Sequence, residues 1–281
     1  MNIMRRLTYR SNLPTLARSL HLTDSLKKWY YRWVVSSEGV FRTRVNGIDV
    51  RFYAHTPEEL RVIEGNFLLE KDFLDVLVAN LGRGDVFYDV GSQIGLFTVP
   101  VSKVVGEEGR VIAFEPEHKA YDGLLAHLGL NGLLNVRVFK KGLGDKNYSG
   151  RLFVGGAACP SLVVHEGDSE QQRAAEEVDV VQGDWLVRTE GLPIPRALKI
   201  DVEGFEYSVL RGLQQTLAHP GCKLLCCEIH PPFLPAGVDV AVIVEFVRTL
   251  GFTHIDISPP HPRWISIHMV AAKRESSHET R

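Results

Sequence analysis

The chain has 281 residues, 44% of them apolar, and a formal net charge of −2. That size and apolar content suit one large α/β domain with an N-terminal extension, or at most two domains, and the near-neutral charge supplies no global field for nucleic acid or an anionic membrane. No apolar run reaches the ~18 residues of a membrane span, and Leu7 to Leu20 is broken by Arg10, Asn12, Pro14 and Arg18, which argues against a secretory signal.

The first 32 residues are locally basic: Arg5, Arg6, Arg10, Arg18, Lys27, Lys28 and Arg32 are opposed only by Asp24. A solvated terminus is the expectation, with a membrane-surface or partner-binding arm as the alternative. The spacing predicts a helix near 22–35. Phe41–Val45 and Ile48–Phe52 flank Asn46-Gly47, a strong hairpin signal. Leu60, Ile63, Phe67, Leu74, Leu77 and Leu81 recur at helical spacing between Pro57 and Gly82, which predicts one helix over 57–81. Residues 1–81 are therefore read as an extension of helix, hairpin and helix, and as the place for any homodimer contact.

From 86 onward strands and helices alternate: 86–90, 96–105, 110–115, 118–130 and 136–141. Such alternation implies parallel strands with right-handed crossovers and helices on both faces. The rhythm breaks at 150–182, where Arg151–Val154, Ser161–His165 and Glu177–Val181 suggest a small β-insertion beside the acceptor. It resumes with a strand at 197–202, a helix at 205–218, a strand at 223–229 and a helix at 240–250. Phe252–Ile257 and Trp264–Ala271 are strands too closely joined for a parallel crossover, so they form an antiparallel pair. The main domain is thus expected at 82–274, ahead of a disordered tail at 275–281. Four cysteines fit neither a disulfide framework nor a zinc pattern; Cys222, Cys226 and Cys227 lie in or beside one strand and Cys159 stands alone. Buried reduced thiols in a cytoplasmic protein are the expectation.

Val86–Gly95 carries the chemistry. An apolar strand ends in Asp89, turns through Gly91, Ser92 and Gln93, and enters a helix at Gly95. The glycines admit backbone conformations that let a ligand approach closely, and the helix start offers free N–H groups. The next strand ends in Glu115-Pro116, where a carboxylate can grip the two hydroxyls of a ribose. The spacing G-x-x-x-G lacks the middle glycine that a dinucleotide's pyrophosphate requires, and no phosphate-cradling G-x-x-x-x-G-K-[S/T] is present. Asp89 would repel a pyrophosphate but suits an ammonium group. S-adenosylmethionine, with a ribose, a cationic end and no phosphate, fits best. Asp89, Gly91, Ser92, Gln93, Gly95, Glu115 and Pro116 are its candidate contacts, together with Gly142 and Asp201.

On these residues the chain resembles the FkbM family of S-adenosylmethionine-dependent methyltransferases, from about Phe67 to Arg274. The resemblance rests on Asp89–Gly95, Ala113–Pro116, Leu130-Asn131-Gly132, Lys199–Glu206 and Val209–Gly212. The family usually has Ala-Asn where this chain has Ser92-Gln93, and Pro100 also departs from a good helix former. The resemblance implies a doubly wound, seven-stranded, mostly parallel sheet with a terminal antiparallel strand, the Rossmann-like class I methyltransferase fold. It also implies methylation of a hydroxyl on a small molecule, sugar or natural product.

A second site follows from strand geometry. Asp201, Glu203 and Glu206 cluster where the fourth strand exits, and Glu228 and His230 share a face of the next. His230 is the first candidate base, because an imidazole titrates near working pH, with Asp201 or Glu203 second. The bland readings are that His230 caps backbone, Asp201 caps the following helix and Glu203 anchors Lys199. Asp201, Glu228 and His230 also have ligand types suited to Mg²⁺ or Mn²⁺, a less favoured reading. His261 and Trp264 are candidate pocket walls. Rival functions are nitrogen or carboxylate methylation, a non-catalytic nucleoside-binding protein, and a nicotinamide oxidoreductase, which the missing glycine disfavours.

Overall fold

The structure is a computed structural model that describes residues 22–154, 174–259 and 266–274. The expected strand at Ser161–His165, the tail at 275–281, Cys159, His261 and Trp264 lie outside these residues. The chain divides into two compact units, 1–69 and 70–281.

In the first unit, α1 (Leu22–Val34) precedes strands β1 (Val40–Val45) and β2 (Ile48–Tyr53) and helix α2 (Pro57–Leu69). β1 and β2 pair antiparallel with Val45 opposite Ile48. Asn46 and Gly47 both take positive φ, at 49° and 81°, which is the tight hairpin turn that Asn-Gly favours. Tyr31 fixes α1 by donating its hydroxyl to the Ala54 carbonyl, and Tyr30 donates to Glu64.

The expected single helix over 57–81 is two helices. Glu70 interrupts it with φ −86° and ψ 7°, and α3 (Lys71–Asn80) belongs to the second unit. The boundary therefore falls at 69/70 rather than 81/82. The physical reason is that the α3 side chains Phe73, Leu74 and Leu77 are fully buried and Phe73 stacks on His268, deep in the second unit.

The second unit is built on strands β3 (Val86–Val90), β4 (Arg110–Phe114), β5 (Val136–Phe139), β9 (Ala197–Ile200), β10 (Leu224–Ile229), β11 (His254–Ile257) and β12 (Ile267–Ala272). They form one sheet in the order β11-β12-β10-β9-β3-β4-β5. β3, β4, β5, β9 and β10 run parallel, whereas β12 is antiparallel to both β10 and β11. This is the doubly wound class I methyltransferase sheet. Its crossover helices are α4 (Thr98–Val105), α5 (His118–Asn131), the pair α7 (Glu206–Gly212) and α8 (Gln214–Ala218), and α9 (Val240–Thr249), and α6 (Gly183–Thr189) packs against α7 and α8. Pro100 sits in the first turn of α4, where its missing N–H has no helical acceptor to satisfy. The helix expected over 205–218 breaks at Leu213. The break has a partner: both oxygens of buried Asp184 accept N–H groups from Gln215 and Thr216, restarting the helix.

The insertion is a three-stranded sheet of β6 (Gly142–Gly144), β7 (Tyr148–Val154) and β8 (Ala174–Gln182) in the order β6-β8-β7. β7 and β8 form a long antiparallel pair, and Gly142 is buried in β6 opposite Val180.

Candidate active site

β3, β9 and β10 lie side by side, so their carboxyl ends deliver the turn, the acid cluster and the histidine to one edge. After β3 the chain bends tightly. Gly91 has φ 76°, and a Cβ built there would lie 1.8 Å from the Asp201 carbonyl oxygen. Only glycine lets the β3 turn press against the exit of β9. Gln93 also adopts a left-handed φ, 46°.

Glu115 faces this bend. Its Oε2 accepts the Gln93 N–H at 2.7 Å and its Oε1 accepts the Glu117 N–H at 2.9 Å. Burial lifts its pKa to about 7, against the lowering effect of those two N–H groups. The side-chain oxygen of Ser92 is buried without a hydrogen-bond partner. Pro116 is half-buried beside Glu115, and Gly95 is buried with φ 92°. Glycine backbone, a buried hydroxyl without a partner and a carboxylate thus meet at one bend, the donor and acceptor types that the adenosyl portion of S-adenosylmethionine calls for.

Asp89 is the residue expected to meet the cofactor's ammonium group. It is fully buried below the turn, where Thr98 donates its hydroxyl to Oδ2 at 2.5 Å. The cation facing it is Lys199, whose Nζ lies 3.8 Å from Oδ1. Lys199 also donates to the Gly91 carbonyl at 2.9 Å, pairs with Asp201 at 3.2 Å and sits 5.0 Å from the Phe97 ring centre. Burial pushes its pKa down, yet Asp201, Asp89 and Glu70 outweigh this and hold it above its ordinary value. The lysine thus joins turn and cluster. Asp201 points to Lys199, and no side chain caps α7. Burial raises the Asp201 pKa, and Lys199 partly counters the rise.

His230 is buried at the end of β10. Its Nδ1 is 2.8 Å from Glu206 Oε1, and its Nε2 lies 3.5 Å from Glu203 and 3.8 Å from Glu228. Burial pushes the ring's pKa down, but the Glu206 hydrogen bond and the Glu206, Asp201 and Glu203 charges lift it to about 10. The ring therefore carries a proton at neutral pH. The expectation of an imidazole titrating near working pH is corrected, because the sequence hid how many carboxylates surround it. Glu203 reaches the ring from a left-handed backbone, φ 52°. Gly204, φ 97°, follows; a Cβ there would meet Phe233 at 2.5 Å.

Two residues escaped the sequence reading. Glu70 and His268 converge on Glu228, with His268 Nε2 3.9 Å from Glu70 and 3.8 Å from Glu228. Burial, then the Glu228 and Asp201 charges, push Glu70 up to about 9. Glu228 is brought down to about 2: burial opposes this, but the His268 hydrogen bond and the His230 charge prevail. Two carboxyl groups brought this close in a buried place favour retention of a proton by the pair. The only sequence signal was Glu70 lying inside an otherwise continuous helical pattern. Three donor atoms from Asp201, Glu203 and His230 lie within 4.8 Å of one another. Of the three residues in the less favoured metal reading, Asp201 and His230 are in this group, whereas Glu228 groups with Glu70 and His268.

The Methyltransferase FkbM domain matches residues 89–253, from the acid before the first turn to the residue ahead of β11. The hexuronic acid methyltransferase AglP of Haloferax volcanii is 27% identical over 214 residues, 74% of this chain and 81% of its own. Methyltransferase 1 of Beauveria bassiana is 27% identical over 249 residues, 80% of this chain and 95% of its own. Among solved structures, Aeropyrum pernix fibrillarin with bound S-adenosyl-L-methionine is 15% identical, with a TM-score of 0.48 and 84% of each chain covered. With the family match spanning more than half its residues, the chain belongs to the FkbM family and is an S-adenosylmethionine-dependent methyltransferase.

Proposed function

We propose that this enzyme methylates a hydroxyl group of a sugar or sugar-like small molecule. The observation that carries the reading is the carboxylate and imidazole cluster of Asp201, Glu203, Glu206, Glu228 and His230 beside the glycine turn. The similarity to a hexuronic acid methyltransferase supports a sugar acceptor. Gly91, Ser92, Gln93 and Gly95 hold the adenosyl part through backbone, Glu115 accepts from the ribose hydroxyls, and Pro116 and Gly142 border the crevice.

S-adenosylmethionine supplies a methyl group on a positively charged sulfur, an already activated leaving group. The protein's task is to align the acceptor oxygen and receive its proton. Asp201 takes that role, because burial makes its carboxylate more basic than usual, and Glu203 is the alternate. His230, protonated and oriented by Glu206, donates to the acceptor and holds it in line. A divalent ion on Asp201, Glu203 and His230 would serve the same alignment. The reading places the enzyme in the cytoplasm, without a transmembrane segment and not acting on nucleic acid, with the N-terminal extension as the place for any homodimer contact.

A second reading has a specific observation behind it. A protonated His230 suits an acceptor that brings its own negative charge, so a sugar carboxylate could be methylated without a base. Incubation with methyl-labelled cofactor and a panel of neutral sugars and hexuronic acids tests both. Alkali-stable label is the expected product, a methyl ether. Alkali-labile label means a methyl ester and replaces the first reading with the second. Tight S-adenosylhomocysteine binding with no transfer to any acceptor supports a non-catalytic binding protein. A chelator arm reads metal dependence, and undiminished turnover in it removes the ion.

A further inference from the structure

We propose that α1 docks the enzyme on an anionic lipid surface. Leu26, Trp29 and Trp33 recur at i, i+3 and i+7 and form one stripe, with 59%, 55% and 62% of their surfaces exposed. The two indoles lie parallel, ring centres 6.1 Å apart and 10° between planes. Tyr31, on the far side of the helix, anchors it by donating to the Ala54 carbonyl, while Tyr30, bonded to Glu64, flanks the stripe with its ring 6.5 Å from that of Trp33. The helix is thus fixed from the side away from the stripe. Lys28 and Arg32 line the same cavity as the two indoles, together with Ser25.

Charge decides among occupants. Within α1, three basic residues, Lys27, Lys28 and Arg32, outnumber one acid, Asp24, in a chain whose formal net charge is −2. Basic groups flanking a tryptophan and leucine stripe match a phospholipid headgroup layer, where indoles settle and cations meet phosphate. A nucleic acid fits less well, since the indoles face each other and leave no slot for a base between them. A second copy fits less well too, because a self-paired stripe would bring Lys28 and Arg32 toward their own equivalents. A surface-bound enzyme would meet acceptors carried on lipid.

The test uses the full chain in co-sedimentation with phosphatidylcholine vesicles, with and without phosphatidylglycerol. Binding is expected only with the anionic lipid, to fall steeply with salt, and to shift Trp emission to the blue. Trp29→Ala with Trp33→Ala, and separately Lys28→Glu with Arg32→Glu, are each expected to weaken partitioning at least tenfold. S-adenosylhomocysteine affinity by calorimetry should stay unchanged in both pairs, which separates this surface from the active site. The proposal is overturned by absence of partitioning, by equal binding to neutral vesicles, or by partitioning that survives both pairs. It is also overturned if the tryptophan pair instead dissolves a dimer seen without lipid.

Discussion

Replacing Lys199 with methionine removes the one cation that joins the glycine turn to the acid cluster. In the wild type, Nζ stands 3.2 Å from Asp201 and 3.8 Å from Asp89. With an effective dielectric near 20, those separations correspond to attractions of about 5 and about 4 kcal/mol. Burying the ammonium offsets much of this, so the pair is not worth its full Coulomb energy. Deleting one partner is a different matter, because it leaves buried carboxylates uncompensated, at a cost of roughly 3–5 kcal/mol. The hydrogen bond to the Gly91 carbonyl is lost as well. Urea unfolding followed by circular dichroism should show that loss at pH 8. The deficit should shrink as pH falls, since burial already holds both aspartates above their ordinary pKa and protonation removes the unpaired charge. A deficit below ~1 kcal/mol, or one independent of pH, would refute the ion-pair argument.

Three further outcomes follow from the same geometry. Glu115 has a pKa near 7, and only its ionised form accepts from both ribose hydroxyls. S-adenosylhomocysteine affinity should therefore weaken about tenfold per pH unit below 7 and level off above it; Glu115→Gln should abolish this slope in calorimetry. Gly91→Ala should lose cofactor binding and several kcal/mol of stability, because the new Cβ would overlap the Asp201 carbonyl at 1.8 Å; a soluble variant with unchanged affinity would contradict the close approach. Asp201→Asn should cut turnover at least a hundredfold if Asp201 receives the proton, whereas a methyl ester product should leave turnover largely unaffected.

The sequence disclosed what depends on neighbours along the chain and concealed what depends on partners across it. The Asn46-Gly47 hairpin, the Asp89–Gly95 turn and the βα rhythm are local, each set by a few adjacent residues. So was the convergence of Asp201, Glu203 and His230, since strand ends in such a sheet share one edge. The protonation of His230 was not local: Glu206 had to be seen folding back onto Nδ1. Glu70 lay hidden because its partners Glu228 and His268 arrive from β10 and β12. Lys199 did leave a trace, as a lone charge in the otherwise apolar strand Ala197–Ile200. Such a residue stays buried only when paired, and that rule would have pointed to Asp89.

The position of β12 has a consequence for how the molecule assembles. This final strand slots between β10 and β11, so its backbone closes two ladders at once. During synthesis, Leu224–Ile229 must wait with one flank bare until Ile267–Ala272 leaves the ribosome. A six-residue, wholly buried strand in that condition is sticky. Nascent chains stalled before 267 should thus depend on chaperones far more than the finished polypeptide does.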